Sequence, residues 1–301
     1  MFNPKTKISL LCPFGALGDM ICALPTIKKL YQEERLHKVL VFQDKAELCE
    51  LVDIPSEHLV IMHPEKLTPF DPEGNYFNSM YPQDRAPYRM HLIDFASYNA
   101  CQALLKPEEK CVSVDPSKLP PNPLVNKKYV IVSPLYMHKS RRMLPSVFND
   151  IKQFVKSLGY EVVIIGKDAV KDKVKGTDEY DFEDCINLTN RTSLRESLAI
   201  IAEAKLVITM DSGLVYLTGL TETPLVAGYT FVDPYYRLPY RHGELGWKCE
   251  SVIPRGACKF CSNTLGAYSI VFDVSCPAKI DFQCATSLHS EDFISAVKKF
   301  I

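Results

Sequence analysis

The chain has 301 residues, 47% of them hydrophobic and 24% charged, with a net charge of -1. That length suits one large or two medium domains with buried cores. The near-neutral charge leaves sequence-independent binding to nucleic acid or an anionic membrane to a local patch only. No apolar run approaches the ~20 residues of a membrane-spanning helix, and the start, MFNPKTKISLL, has too short an apolar core for a signal peptide. The expectation is a cytoplasmic protein without a membrane span, whose 11 cysteines are mostly reduced.

In chain order, Lys7–Cys12 reads as a buried strand and Ala23–Glu34 as a helix, with Pro25 in its first turn. Val39–Phe42 is a strand, Ala46–Val52 a short helix and Leu59–Met62 a third strand. From Pro64 to Tyr88 no periodicity persists and a long loop is predicted. Leu92–Leu105 reads as helical, and KLPPNPLVNKK (Lys118–Lys128) as a linker that continues neither a helix nor a central strand.

After the linker the alternation restarts. Tyr129–Ser133, Glu161–Gly166, Cys185–Leu188, Leu206–Met210 and Leu225–Gly228 read as strands, the last of these closing the parallel series. Ser146–Leu158, stopped by Gly159, Thr192–Ala204, Gly213–Leu220 and the terminal Glu291–Ile301 read as helices. Such alternation predicts an α/β fold of parallel sheets. Two runs separated by a linker predict two Rossmann-like, doubly wound domains facing across a cleft, over residues 1–122 and 123–286, with the helix at 287–301 packing back on the first. Ligands in such sheets lie beyond the carboxyl ends of the strands.

Four stretches carry candidate chemistry. In CPFGALGDMICALPTIKKL, Gly15 and Gly18 follow a strand and open a helix, with Asp19 in its first turn. Glycines there allow close backbone approach, while the aspartate reads equally as a helix cap. Asp211, Ser212 and Gly213 follow an apolar strand and open a helix, either as an anion-facing turn or as an ordinary cap. SPLYMHKSRRMLP puts His138, Lys139, Arg141 and Arg142 after a strand, a set suited to a diphosphate or to plain solvation. YTFVDPYYRLPYRHG crowds aromatic and basic residues into a loop that either stacks on a base or covers the core.

A fifth feature is the cysteine group Cys258, Cys261, Cys276 and Cys284. Its C-x-x-C start points to a structural zinc ion. Free thiols, a disulfide or buried small hydrophobes are the other readings.

The spacing G-x-x-G-D-x-x-x-x-x-P, the basic loop before Pro145, and NLTNRTSLRESLAIIAEAKLVITMDSGLVYLTGLTETPLVAGYT together resemble glycosyltransferase family 9, the lipopolysaccharide heptosyltransferases. The resemblance implies the GT-B fold and an inverting transfer of a sugar from a nucleotide-sugar donor (ADP-, UDP- or GDP-linked) to a hydroxyl, with no metal needed for catalysis. It implies an acceptor-side first domain and a donor-binding second one. Asp19 matches the family's catalytic base. Donor contacts fall on Gly15, Gly18, Lys139, Arg142, Asp211, Ser212, Gly213 and Thr230. The chain departs from the pattern at Tyr216, where a histidine is usual, and at Leu144, where a tryptophan is. The ribose-binding acid has only Asp168 as a candidate. The implied acceptor is a lipopolysaccharide-type glycan. The alternatives are transfer to a modified DNA base (the one case with a nucleic-acid partner) or another non-glycan acceptor, a GT-B epimerase or phosphorylase, and a non-catalytic nucleotide-binding module.

Overall fold

Parallel pairing organises both halves of the chain. The computed structural model describes residues 6–12, 16–62, 75–78, 90–135, 139–167, 180–261, 276, 278 and 280–301. They fall into two compact units, Met1–Lys118 with Pro239–Trp247, and Leu119–Leu238 with Lys248–Ile301.

In the first unit β1 (Ile8–Leu11), β2 (Leu36–Phe42), β3 (Leu59–Met62) and β4 (Asn75–Asn78) form a parallel sheet of order β3-β2-β1-β4. β4 arises inside the predicted loop. Its four residues, NYFN, pair with β1 alone and are too short to show a period. Helix α1 (Leu17–Gln32) starts well before the predicted Ala23, so Pro25 lies in the helix interior and not in the first turn. The ring removes one backbone donor. Nearly continuous burial from Met20 to Ile27 holds the helix regardless, as tertiary packing overrides propensity. α2 spans Gln43–Leu51. α3 is Asp94–Cys101, shorter than predicted because Gln102 turns left-handed at φ 53°.

A hairpin of β10 (Tyr240–Arg241) and β11 (Glu244–Leu245) also belongs to this unit. Its central His242 and Gly243 have φ of 53° and 77°, the paired positive values of a type I′ turn. The hairpin is clamped by a buried ion pair: Lys110 Nζ donates to Asp94 Oδ2 at 2.6 Å and lies 4.9 Å from the Tyr240 ring centre. His91 meets the same ring edge-on at 5.2 Å, and the Gly243 N–H reaches Cys111 Sγ at 3.0 Å.

In the second unit β5 (Tyr129–Ser133), β6 (Glu161–Ile164), β7 (Ile186–Asn187), β8 (Val207–Met210), β9 (Leu225–Gly228) and β12 (Cys249–Val252) make a six-stranded parallel sheet. Its order, β12-β9-β8-β5-β6-β7, is the doubly wound one in which the strand sequence reverses between β5 and β8. β9 is therefore not the last parallel strand, as β12 adds an edge beyond it. Helices α4 (Pro145–Ser157), α5 (Leu194–Glu203) and α6 (Gly213–Gly219) supply crossovers. Pro145 occupies the first position of α4, and Gly159 turns at φ 80° just past its end. A capping box starts α5: Ser193 Oγ accepts from the Glu196 N–H while Glu196 Oε2 accepts from the Ser193 N–H.

α7 (Gln283–Thr286) and α8 (Ser290–Val297) complete the unit. The expectation that the terminal helix joins the first domain is corrected, since α8 belongs to the second unit. Phe293 is fully buried there, Ser290 Oγ donates to Asp150 at 2.6 Å, and Arg255 makes two 2.8 Å bonds to Asp292. Gly228 faces this packing. A methyl group there would come within 2.6 Å of Met210 Sδ and 3.0 Å of Phe293 Cζ.

The Pro-rich linker is pinned to the second unit. Asn122 Nδ2 donates to the Tyr129 hydroxyl at 2.9 Å and to Glu203 Oε2 at 2.8 Å, while its Oδ1 accepts from the Leu124 N–H. Tyr129 OH donates to the Ile200 carbonyl at 2.7 Å, and burial pushes its phenol up to about 12. Among the described residues no helix is long and apolar enough to cross a membrane. Asn122→Ala leaves buried partners of Asn122 unmade and is expected to cost about 1–3 kcal/mol in urea unfolding. Unchanged stability would show that the linker is not held by this residue.

Candidate active site at the strand ends

In an open parallel sheet the loops that leave the carboxyl ends of the strands gather at one edge, and ligands bind where the strand order reverses. In the first sheet β1 stands at that reversal, between β2 and β4. It leads into α1, whose third residue is Asp19. The N-cap position is Ala16, which has no side-chain hydrogen bond to offer. Asp19 is therefore not the cap. It is a half-buried carboxylate in the first turn, where the helix dipole favours negative charge. Gly18 is buried beside it. Gly15 lies outside the described residues, as do His138, Asp168 and most of the predicted 64–88 loop.

In the second sheet the reversal lies between β5 and β8, and the structure brings the two corresponding loops together. After β5, Lys139–Arg141 form a 3-10 turn. After β8, Asp211 is 3% exposed, with its N–H bonded to the Gly228 carbonyl at 2.9 Å. Arg141 Nη1 donates to the Asp211 carbonyl at 3.2 Å, and its Nε stands 3.8 Å from Asp211 Oδ2. The Arg141 guanidinium also lies 4.9 Å from the ring centre of Phe231, a cation–π contact from the loop after β9. Ser140 Oγ, Arg141 Nε and Asp211 Oδ2 are buried and have no hydrogen-bond partner. Buried polar groups are normally paired, and these three lie together at the reversal.

Backbone fasteners hold this edge. Thr230 Oγ1 donates to the Ser140 carbonyl, which clasps the loop after β9 to the turn after β5. Thr209 Oγ1 donates to the Ser133 carbonyl at 3.2 Å and lies 3.4 Å from Ser212 Oγ, which caps α6 through the Leu214 N–H. Ser212 is thus a true N-cap, and Gly213 is the first residue of the helix. Lys139 is exposed and Arg142 half-buried. The Tyr229 phenol is fully buried; desolvation, and then the nearby Asp211 carboxylate, push its pKa well up.

Arg141, Ser140, Phe231 and Tyr229 are the members of this edge that spacing alone does not single out. Arg141 is one of four basic or titratable residues in its loop, and only the strand order puts it against Asp211.

These features define a doubly wound, ligand-binding α/β protein, and comparison with known proteins narrows the class. The sequence profile described as glycosyltransferase family 9 (heptosyltransferase) matches residues 91–247, just over half of the chain. The chain belongs to glycosyltransferase family 9. Asp19 and the four cysteines lie outside that match.

Among curated proteins, it is 34% identical over 87 residues to lipooligosaccharide heptosyltransferase 2 of Haemophilus influenzae, covering 27% of this chain and 25% of that protein. It is 33% identical over 97 residues to lipopolysaccharide heptosyltransferase 2 of Salmonella typhimurium, covering 30% and 27%. The matched stretch thus spans about a quarter of each relative.

Among solved structures, the iron-containing dodecameric glycosyltransferase TibC of enterotoxigenic E. coli superposes with a TM-score of 0.75 at 18% identity, over 98% of this chain and 76% of TibC. The family 9 glycosyltransferase of Veillonella parvula gives 0.63 at 13% identity, over 99% and 98%. These likenesses show the fold: two Rossmann-like domains of the GT-B class.

None of the four cysteines is disulfide-bonded. Cys284 is buried, and burial followed by the charges of Cys258, Cys261 and Cys276 pushes its thiol up to about 12. Four thiols around one point are chemically apt for a zinc-like ion. Yet among the described residues no three Cys, His, Asp or Glu side chains stand where they could hold a metal ion. With a pKa raised this far, the Cys284 thiol stays neutral through pH 9. Alkylation of the folded metal-free protein at pH 8 is expected to spare Cys284, as read by peptide mass mapping, and rapid labelling there would show that the site is open.

Proposed function

We propose that this chain is an inverting, metal-independent glycosyltransferase that moves a heptose from an ADP-linked donor to a hydroxyl of a lipopolysaccharide-type glycan. The observation that carries the reading is the junction of Arg141 and Asp211 at the strand reversal of the second unit, within a chain belonging to family 9. The sugar and nucleotide follow from relatives. The curated relatives are named heptosyltransferases, and TibC has been solved in complex with ADP-D-β-D-heptose.

In this reading Asp19 takes the proton from the acceptor hydroxyl as its oxygen attacks the anomeric carbon. The new C–O bond forms on the face opposite the leaving group, the bond to the diphosphate breaks, and configuration inverts. The departing nucleoside diphosphate carries the released negative charge. Arg142, Lys139 and the backbone N–H groups at Ser212 and Gly213 stabilise that charge in place of a metal. Gly15 and Gly18 leave room for the transferred sugar, and Thr230 keeps the donor loop clasped to the basic turn.

We further propose that Cys258, Cys261, Cys276 and Cys284 take up a structural zinc ion, which would draw the thiols into ligating positions and tie the segment before α8. The support is the C-x-x-C spacing and the influence of three of the thiols on the fourth. No catalytic step passes through it.

Thermal-shift measurements against ADP-, UDP- and GDP-sugars test the donor. An ADP-sugar is expected to raise the melting temperature most, and no shift with any of them would reject donor binding. Asp19→Asn is expected to lower sugar transfer about 10²- to 10⁴-fold while nucleotide affinity stays the same. Full transfer by that variant would remove Asp19 from the mechanism. Metal analysis after dialysis is expected to find about one zinc per chain, and less than about half an equivalent would rule out a tight site.

A further inference from the structure

We infer that Asp211 acts as a positioning residue for Arg141, and that Arg141 is a second cation, beside Arg142, presented to the donor's diphosphate. The inference rests on the functional reading above and deepens it.

Charge makes the first part of the case. A carboxylate repels a diphosphate at close range. Asp211 is only 4% exposed in its side chain, so water screens it little. It can stand at an anion site only with its charge masked, and Arg141 Nε at 3.8 Å is the cation the structure gives it.

Geometry makes the second part. Arg141 is fixed on two sides, by the Nη1 bond to the Asp211 carbonyl and by the Phe231 ring at 4.9 Å. Guanidinium has five N–H donors in one plane, and these contacts occupy only part of them. Nε has no hydrogen-bond partner, and the side chain keeps 21% of its surface open. A guanidinium held from behind, with donors left over, is suited to paired contacts with phosphate oxygens.

The third part is the turn itself. Ser140 Oγ is buried without a partner, next to Arg141 in the chain. The Ser140 carbonyl is clasped by Thr230 from the loop after β9. Loops from β5, β8 and β9 thus converge on one guanidinium, and Ser140 Oγ, Arg141 Nε, Asp211 Oδ2 and the Tyr229 hydroxyl there lack hydrogen-bond partners.

A double-mutant cycle tests this on the full chain. ADP affinity is measured by calorimetry for wild type, Arg141→Ala, Asp211→Asn and the double variant, with melting temperatures as a check on folding. Arg141→Ala is expected to bind ADP about 10- to 30-fold more weakly, the scale of a lost charge-assisted hydrogen bond. Asp211→Asn is expected to weaken binding less. The double variant should match Arg141→Ala within about twofold, because Asp211 then has nothing left to position.

If the two losses multiply, Asp211 meets the ligand itself and the inference is overturned. It is overturned too if Arg141→Ala binds like wild type. Wild type failing to bind ADP or any other nucleoside diphosphate would instead reject the functional reading as a whole. Phe231→Leu gives an arm that leaves both charges intact and decides the matter if Asp211→Asn does not fold. It is expected to raise the donor KM several-fold at unchanged kcat, and to have no effect in the Arg141→Ala background. An equal effect in both backgrounds would show that Phe231 and Arg141 act separately.

Discussion

Parallel strand pairing is the constraint from which the rest of this structure follows. A parallel strand cannot be reached by a tight turn, so the chain must cross the sheet each time before it pairs again. Within each main sheet every strand therefore points the same way, and the loops after its strands open at one edge of that sheet. Helices must cover both faces, which accounts for the complete burial of β5, β8 and β9. Where the strand order reverses between β5 and β8, neighbouring loops diverge to opposite faces and leave a recess. The loops that carry Arg141 and Asp211 meet at this point.

That edge is energetically unlike the core beneath it. In the core, polar networks are closed around several groups: Tyr129 joins Asn122 to the Ile200 carbonyl, and Asp94 takes both the Leu105 N–H and Lys110 Nζ. At the edge, buried atoms of Ser140, Arg141 and Asp211 stay unpaired. Each such atom costs on the order of 1–3 kcal/mol relative to a paired one. The surrounding clasps from Thr209 and Thr230 hold the loops in spite of that cost.

Elements with strong local signals were legible from the residues. The apolar runs YVIVS and LVITM became β5 and β8, and the helix predicted over Thr192–Ala204 became α5. Elements that depend on a distant partner were not legible. β4 and β12 are four-residue edge strands whose only definition is the neighbour they pair with. The hairpin at Tyr240–Leu245 gains its place from Lys110, His91 and Cys111, all far away in the chain. Pro25 argues against a helix interior by local rule, and burial of the surrounding face prevails. The terminal helix carries an apolar face whose target no local pattern identifies, and the packing of Phe293 places it on the second unit.

By itself the sequence determined the α/β class and the loops that leave its strands, because periodicity, caps and glycine turns are local and repeat within a few residues, while the family came from the resemblance of its motifs. Only the tertiary structure decided which of those loops meet. It placed Asp19 inside a first helical turn instead of at the cap, turned Thr230 into a clasp, and set Arg141, rather than its neighbour, against Asp211. The physical reason is that contacts between strand ends are fixed by sheet order, and sheet order is a property of long-range pairing that no short stretch of residues encodes.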